Sequence, residues 1–215
     1  EVYTEKFPEI SLSVLTKDPK DIARPKDEPT LLYNAMIHPI KQFTIKGTIW
    51  YQGESNLNNP QVYKRLFPAM VRSWRKEWNQ GEFPFYYVQI APYDYGRKNA
   101  DKTEAAEIRQ VQLECLKEIP NAGMVVTADI GNRTCVHPSD KESVGKRLAL
   151  WALAKTYQRS GTPYSGPLYK SFTIDKEKII VAFDYAEMGM TSYDREIVGF
   201  EIAGKDGIYY PAKAV

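Results

Sequence analysis

The chain has 215 residues, 43% of them hydrophobic and 26% charged, which is ordinary globular material sufficient for one domain, or one domain and part of another. Its 29 basic and 27 acidic residues leave a net charge of +2, so the charge balance gives no case for a nucleic-acid partner. No apolar run approaches the roughly 20 residues of a membrane span, and no membrane insertion is expected.

Residues 1–30 carry Pro8, Pro19, Pro25 and Pro29 among charges without a period, which predicts an extended lead-in. Glu1 opens the sequence without methionine or a signal-like segment, so a processed or excised product is expected. Pro29-Thr30 then predicts a short helix over Leu31 to Ile37, ended by Pro39.

Lys46 to Tyr51 reads as a buried strand, and it stops in Gln52-Gly53-Glu54-Ser55-Asn56. Gln52, Glu54 and Asn56 offer directed hydrogen bonds, and Gly53 lets the backbone approach a ligand closely. The carboxyl end of a strand is where α/β sheets bind ligands. From about Gln61 to Trp78, Leu66, Met70, Trp74 and Trp78 recur at spacings of four, which predicts a helix that Pro68 could kink or break.

Phe85 to Ile90 is the second predicted strand and Thr103 to Glu118 the second long helix, with Arg109 and Gln110 assigned to its solvated face. Pro120-Asn121-Ala122-Gly123 reads as a turn, and Met124 to Ala128 as the third strand. A polar loop from Asp129 leads to His137-Pro138, after which Ser139 is expected to cap a helix reaching about Tyr157. Alternating strands and helices over residues 45–157 argue for a parallel sheet covered by helices.

After Gly161-Thr-Pro-Tyr-Ser-Gly-Pro167 the pattern changes. Tyr169 to Ile174, Lys178 to Phe183, Val198 to Ile202 and Ile208 to Tyr210 are short strand-like runs with turn signals at Asp175-Lys176 and Lys205-Asp206-Gly207. They read as the start of a β-sandwich with too few strands to close. The expected division is a partial catalytic domain over residues 1–160 and a partial β-domain over 161–215.

Two histidines narrow the search for chemistry. His137 follows the third strand as Gln52-Gly53-Glu54 follows the first, and in a parallel sheet both loops lie on one edge. His137 with Glu54 would then be the base and orienter of a hydrolase triad. The other reading of His137 is a helix-capping residue on a solvated loop, and the residues alone leave both open. Asp129 is a second candidate orienter, or a loop carboxylate bonded to the backbone near Gly131. His38 reads as a packing or capping histidine. No Gly-x-Ser-x-Gly elbow occurs, and neither Ser55 nor Ser143 has the setting of a nucleophile. Cys115 and Cys135, the only cysteines, match no metal spacing and read as free thiols. Neither metal nor cofactor is expected. The aromatic content, with 15 tyrosines and four tryptophans, fits a carbohydrate-binding surface and a core equally well.

Pro29-Thr30-Leu31-Leu32-Tyr33-Asn34-Ala35-Met36-Ile37, Gly47 to Asn56, Trp74-Arg75, Phe83-Pro84-Phe85, Val88-Gln89, and Asp129-Ile130-Gly131 with His137-Pro138 and Lys141 together resemble the sialate O-acetylesterases. These are carbohydrate esterases of the SGNH hydrolase superfamily, and the likeness covers about residues 29–152. It implies an incomplete flavodoxin-like core followed by the start of a β-sandwich. It also implies acetyl-ester hydrolysis on carbohydrates, sialic acids first, with the protein periplasmic or secreted.

By this resemblance His137 is the general base and Glu54 a candidate acid. Gln52 and Gly53 sit where the oxyanion block lies, and Asn56 and Asp129 line the same substrate-binding edge. The family's serine belongs to a Gly-x-Ser-Asn-Met block that this sequence lacks, so the serine is expected upstream of Glu1 and the chain alone is expected to be inactive. The superfamily's aspartate three residues before the histidine is replaced by Thr134, which moves weight to Glu54. The alternatives are a xylan or other polysaccharide acetylesterase and a non-catalytic carbohydrate-binding module.

Overall fold

The computed structural model describes residues 30–95, 103–187, 189–192, 194 and 196–215. The predicted lead-in and the loop around Gly96 fall, apart from Thr30 and Tyr95 and its predecessors, outside these residues.

Within the described chain two units separate. The first comprises residues 30–45 and Lys76–Gly81. Its predicted α-helix is a π-helical turn over Tyr33–Ile37 followed by a 3-10 turn over His38–Ile40, with Pro39 inside the second turn rather than ending the first. Proline fits there because the first N–H groups of a turn have no intrahelical acceptor. His38 packs edge-on against Tyr33 at 6.3 Å, in line with a packing histidine. Lys41 pairs with Glu77 at 3.0 Å, and Trp78 Nε1 donates to the Phe43 carbonyl at 3.1 Å.

The second unit holds the α/β core. Strands β1 (Thr48–Tyr51), β2 (Phe85–Val88) and β3 (Ala122–Val125) form a parallel sheet in the order β1-β2-β3. Helices α1 (Pro60–Trp78), α2 (Glu104–Glu118) and α3 (Lys141–Trp151) alternate with them. This is the predicted α/β class. Every residue of β2 is buried, as a central parallel strand requires.

The two faces of β2 explain the helix positions. Phe85 and Tyr87 face an aromatic layer in which the Phe67 ring of α1 meets Phe85 at 5.9 Å, Tyr87 at 5.0 Å and Trp50 at 6.4 Å. Tyr86 and Val88 face the other way and pack with Val125 and with Val144, Leu148 and Trp151 of α3. Pro68 does not break α1: the helix is continuous through it, and Pro68 itself is fully buried. Arg75 of α1 is buried and donates to the carbonyls of Phe83 at 2.8 Å and Pro120 at 2.7 Å, anchoring the chain just before β2 and just before β3.

Three elements depart from the sequence reading at their boundaries. Ala122-Gly123 is strand rather than turn, paired with Phe85 and Tyr86, and β3 ends at Val125 instead of Ala128. Gly123 is there for closeness: a Cβ would fall on the Trp151 ring, whose Nε1 bonds the next carbonyl, Met124, at 3.2 Å. β2 stops at Val88 rather than Ile90. Asp140, not Ser139, caps α3, its Oδ1 accepting the Ser143 N–H at 3.0 Å. The helix then loosens into a π-helical segment, Ala152–Thr156.

Beyond it lie two antiparallel hairpins, β4 (Leu168–Asp175) with β5 (Lys178–Asp184), and β6 (Phe200–Ala203) with β7 (Tyr209–Ala212). Each is a separate two-stranded sheet. In the first, a bulge near Tyr169 keeps Tyr169, Phe172, Ile174, Ile179, Val181 and Phe183 on one face, and Phe172 and Ile174 are more than half exposed.

Candidate active site

The loops that leave β1, β2 and β3 start from the same edge of the sheet, because the strands are parallel. They carry Gln52 to Asn56, Gln89 to Tyr95, and Val126 to His137.

The first loop turns at Gly53, with φ 157° and ψ −26°, and continues as a 3-10 turn over Glu54–Asn56. A Cβ at Gly53 would lie 2.7 Å from Ile90 Cγ2 and 2.9 Å from Gln112 Nε2, so close packing also demands glycine. Gln52 Nε2 donates to Asn56 Oδ1 at 2.6 Å, which fixes both side chains relative to one another. The Gln52 carbonyl accepts from Gln112 Nε2 at 3.2 Å and from the Tyr63 hydroxyl at 3.4 Å. Burial pushes the Tyr63 phenol up to about 12, so it remains a donor.

Gln112 is fully buried and was not singled out by sequence reasoning. Its Oε1 accepts the Ile90 N–H at 3.0 Å, and its own carbonyl accepts from the Tyr87 hydroxyl at 2.6 Å. One side chain thus ties the end of β1 to the end of β2. A signal was available: Ile108, Val111 and Cys115 form the buried stripe of α2, and Gln112 is the polar residue inside it. Arg109, assigned to the solvated face, is instead half-buried, and its Nε donates to the Ile90 carbonyl at 3.3 Å. Burial lowers its pKa. Gln110 is exposed, as expected.

The second and third loops are joined. Asp94 N–H donates to the Arg133 carbonyl at 2.9 Å, and a Cβ on Gly131 would stand 2.5 Å from the Pro92 carbonyl oxygen. Asp129 lies four residues past β3. Its two oxygens accept from Arg147 Nη1 at 2.7 Å and Nη2 at 2.6 Å, while Nη1 also reaches the Val126 carbonyl at 2.7 Å. The guanidinium holds the Asp129 carboxyl below its ordinary value.

Asn132 Oδ1 accepts from the N–H groups of Thr134 at 2.8 Å and Cys135 at 3.0 Å, tightening the turn before His137. Cys135 Sγ donates to the His137 carbonyl at 3.2 Å. His137 is exposed and Pro138 buried.

The first and third loops approach through Tyr51 and Lys141, the ammonium standing 4.7 Å from the ring centre. Burial and the neighbouring Glu54 carboxylate raise the Tyr51 phenol, so Glu54 also borders this point. No hydrogen bond or ion pair joins Glu54 to His137. Among the described residues Glu54 has no cationic partner, in contrast to Asp129. Among the described residues no cluster of three or more His, Cys, Asp or Glu is placed to hold a metal.

A helix-covered parallel sheet with polar loops along its carboxyl edge defines an α/β protein of the class in which the strand ends are the usual place for a ligand. A family model described as carbohydrate esterase, sialic acid-specific acetylesterase, matches residues 10–154, and the chain belongs to that family. It is 35% identical to the sialate O-acetylesterase of Rattus norvegicus over 163 residues, 67% of this chain and 30% of that one. Against the sialate O-acetylesterase of Homo sapiens the identity is 33% over 184 residues, 78% of this chain and 35% of that one. A crystal structure of a carbohydrate acetylesterase from Xanthomonas citri superposes with a TM-score of 0.80 at 37% identity, over 96% of this chain and 46% of that one. The chain therefore spans about a third of the length of the curated relatives it matches. No described helix is long and apolar enough to cross a membrane.

Proposed function

We propose that these residues form the histidine side of an acetylesterase site that removes O-acetyl groups from carbohydrates, sialic acids first. His137 is the general base, Glu54 the acid that orients it, and Gln52 with Gly53 the oxyanion side. Asn56 sets the Gln52 amide. The attacking serine is supplied by a segment outside these 215 residues, a reading supported by the missing Gly-x-Ser-Asn-Met block. Asp129 is the weaker choice for the acid because Arg147 already occupies both its oxygens.

The observation that carries the reading is the shared edge: the Gln-Gly-Glu loop and the His137 loop leave parallel strands on one side and approach at Tyr51 and Lys141. In the reaction the serine hydroxyl adds to the acetyl carbonyl while His137 takes its proton. The tetrahedral oxyanion meets the N–H donors, His137 returns the proton to the departing sugar oxygen, and water releases acetate. One lost oxyanion donor costs about 10²–10³ in kcat.

The experiment is acetate release from O-acetylated sialic acid by the complete protein. His137→Ala should nearly abolish it, and Glu54→Gln should lower it far more than Asp129→Asn. Full activity in His137→Ala would sink the assignment. The 215-residue chain alone should hydrolyse p-nitrophenyl acetate no faster than a blank.

A second reading, an acetylesterase of xylan or another polysaccharide, is supported by the Xanthomonas citri neighbour, whose name specifies carbohydrate rather than sialic acid. The relative rates on acetylated xylan and acetylated sialic acid separate the two. The division at about residue 160 and a periplasmic or secreted location are part of the same proposal and rest on the resemblance.

A further inference from the structure

We propose that Gln112 is a positioning residue of this site: it holds the Gln52 carbonyl and so aims the Gly53 N–H at the oxyanion. The inference rests on the esterase reading above.

Gln52 O accepts from Gln112 Nε2 at 3.2 Å on the α2 side of the sheet. The described peptide bonds are all trans. In a planar trans peptide the N–H of the following residue points opposite to the carbonyl. Fixing the Gln52 carbonyl toward Gln112 therefore turns the Gly53 N–H away from α2. That N–H makes no hydrogen bond within the described residues, although Gly53 is buried. Gln112 has no slack to give: its Oε1 is held by the Ile90 N–H at 3.0 Å, and Nε2 also lies 3.5 Å from the Val88 carbonyl. The absence of a Cβ at Gly53 is what allows Nε2 this close. Gln112 touches no reacting atom, so its effect passes through the peptide plane.

Gln112→Met keeps the length of the side chain and removes donor and acceptor. In the complete protein it should lower kcat at least tenfold with KM within twofold of wild type. Gln112→Glu supplies the conservative rescue. Protonated, its hydroxyl can donate to the Gln52 carbonyl; ionised, it presents only lone pairs to that oxygen. Its kcat relative to wild type should therefore rise as pH is lowered from 8 to 5, a change that loss of packing would not produce. A folded Gln112→Met with unchanged kcat would overturn the proposal, as would a Gln112→Glu ratio that ignores pH.

If wild type releases no acetate, the esterase reading fails, and the Gly53 amide resonance of the 215-residue chain decides this one separately. It should move in Gln112→Met while the Gly81 amide stays in place. An unmoved Gly53 resonance would rule out the positioning role.

Discussion

Lys141 holds its ammonium 4.7 Å from the centre of the Tyr51 ring, so the last residue of β1 is fastened to the first residue of α3. A cation over an aromatic face at a partly exposed position contributes about 0.5–1 kcal/mol. Tyr51→Leu and Lys141→Met, singly and together, should give a coupling of about that size in a double-mutant cycle by urea unfolding. Strictly additive effects would mean the contact contributes nothing to joining the two loops.

Asp129 and Arg147 should show themselves through pH. The carboxyl titrates below its unfolded value of about 3.9, so its stabilising share is complete above that pH and is lost as pH falls through the folded value. The pair is partly exposed, and its contribution is at most about 1 kcal/mol. Asp129→Asn should be slightly less stable than wild type at pH 6, and the two unfolding curves should converge as pH falls below the folded value of the carboxyl. A gap that persists unchanged in acid would assign the stability difference to something other than this ion pair.

Two glycines should respond oppositely to the same substitution. Gly123→Ala drives a methyl into the Trp151 ring and is expected to destabilise by about 1–3 kcal/mol. Gly145→Ala, on α3 with no atom within 4 Å of the added carbon, should stabilise by about 0.5–1 kcal/mol through a less flexible unfolded chain. Thermal unfolding of both variants reads the signs directly.

The thiols should separate by accessibility. Cys115 is fully buried, and burial pushes its thiol up to about 12, whereas Cys135 is exposed. The thiolate is the reactive form. Ellman's reagent should therefore titrate Cys135 at once in the native protein and Cys115 only after guanidinium is added. Two fast thiols under native conditions would contradict the packing of α2.

The alternation of strands and helices was readable in the sequence because apolar periodicity reports burial, and β1, β2, α1 and α2 appear within a few residues of their expected places. Ala122-Gly123 misled because a glycine that admits a tryptophan ring looks the same in sequence as a glycine that makes a turn. Ser139 misled because Ser, Asp and Asn all cap helices, and only geometry selects Asp140. Gln52, Glu54 and His137 stood out as polar groups in the loops that follow strands, and Gly53 as the glycine between the first two. Gln112 did not, since its role depends on which carbonyls a buried amide meets. Arg147 was likewise invisible, as a basic residue on a helix gives no notice of the aspartate it will grip.

The hairpin β4–β5 keeps an apolar face with Phe172 and Ile174 more than half exposed, while its backbone bonds to one neighbour only. Two strands alone are marginal in water. Local opening there is accordingly cheap compared with opening the sheet around β2, and this ribbon offers a protease more accessible peptide bonds than the strands of that sheet do. The α/β core can therefore outlive the C-terminal hairpins, and limited digestion offers a route to isolating the part that carries the candidate site.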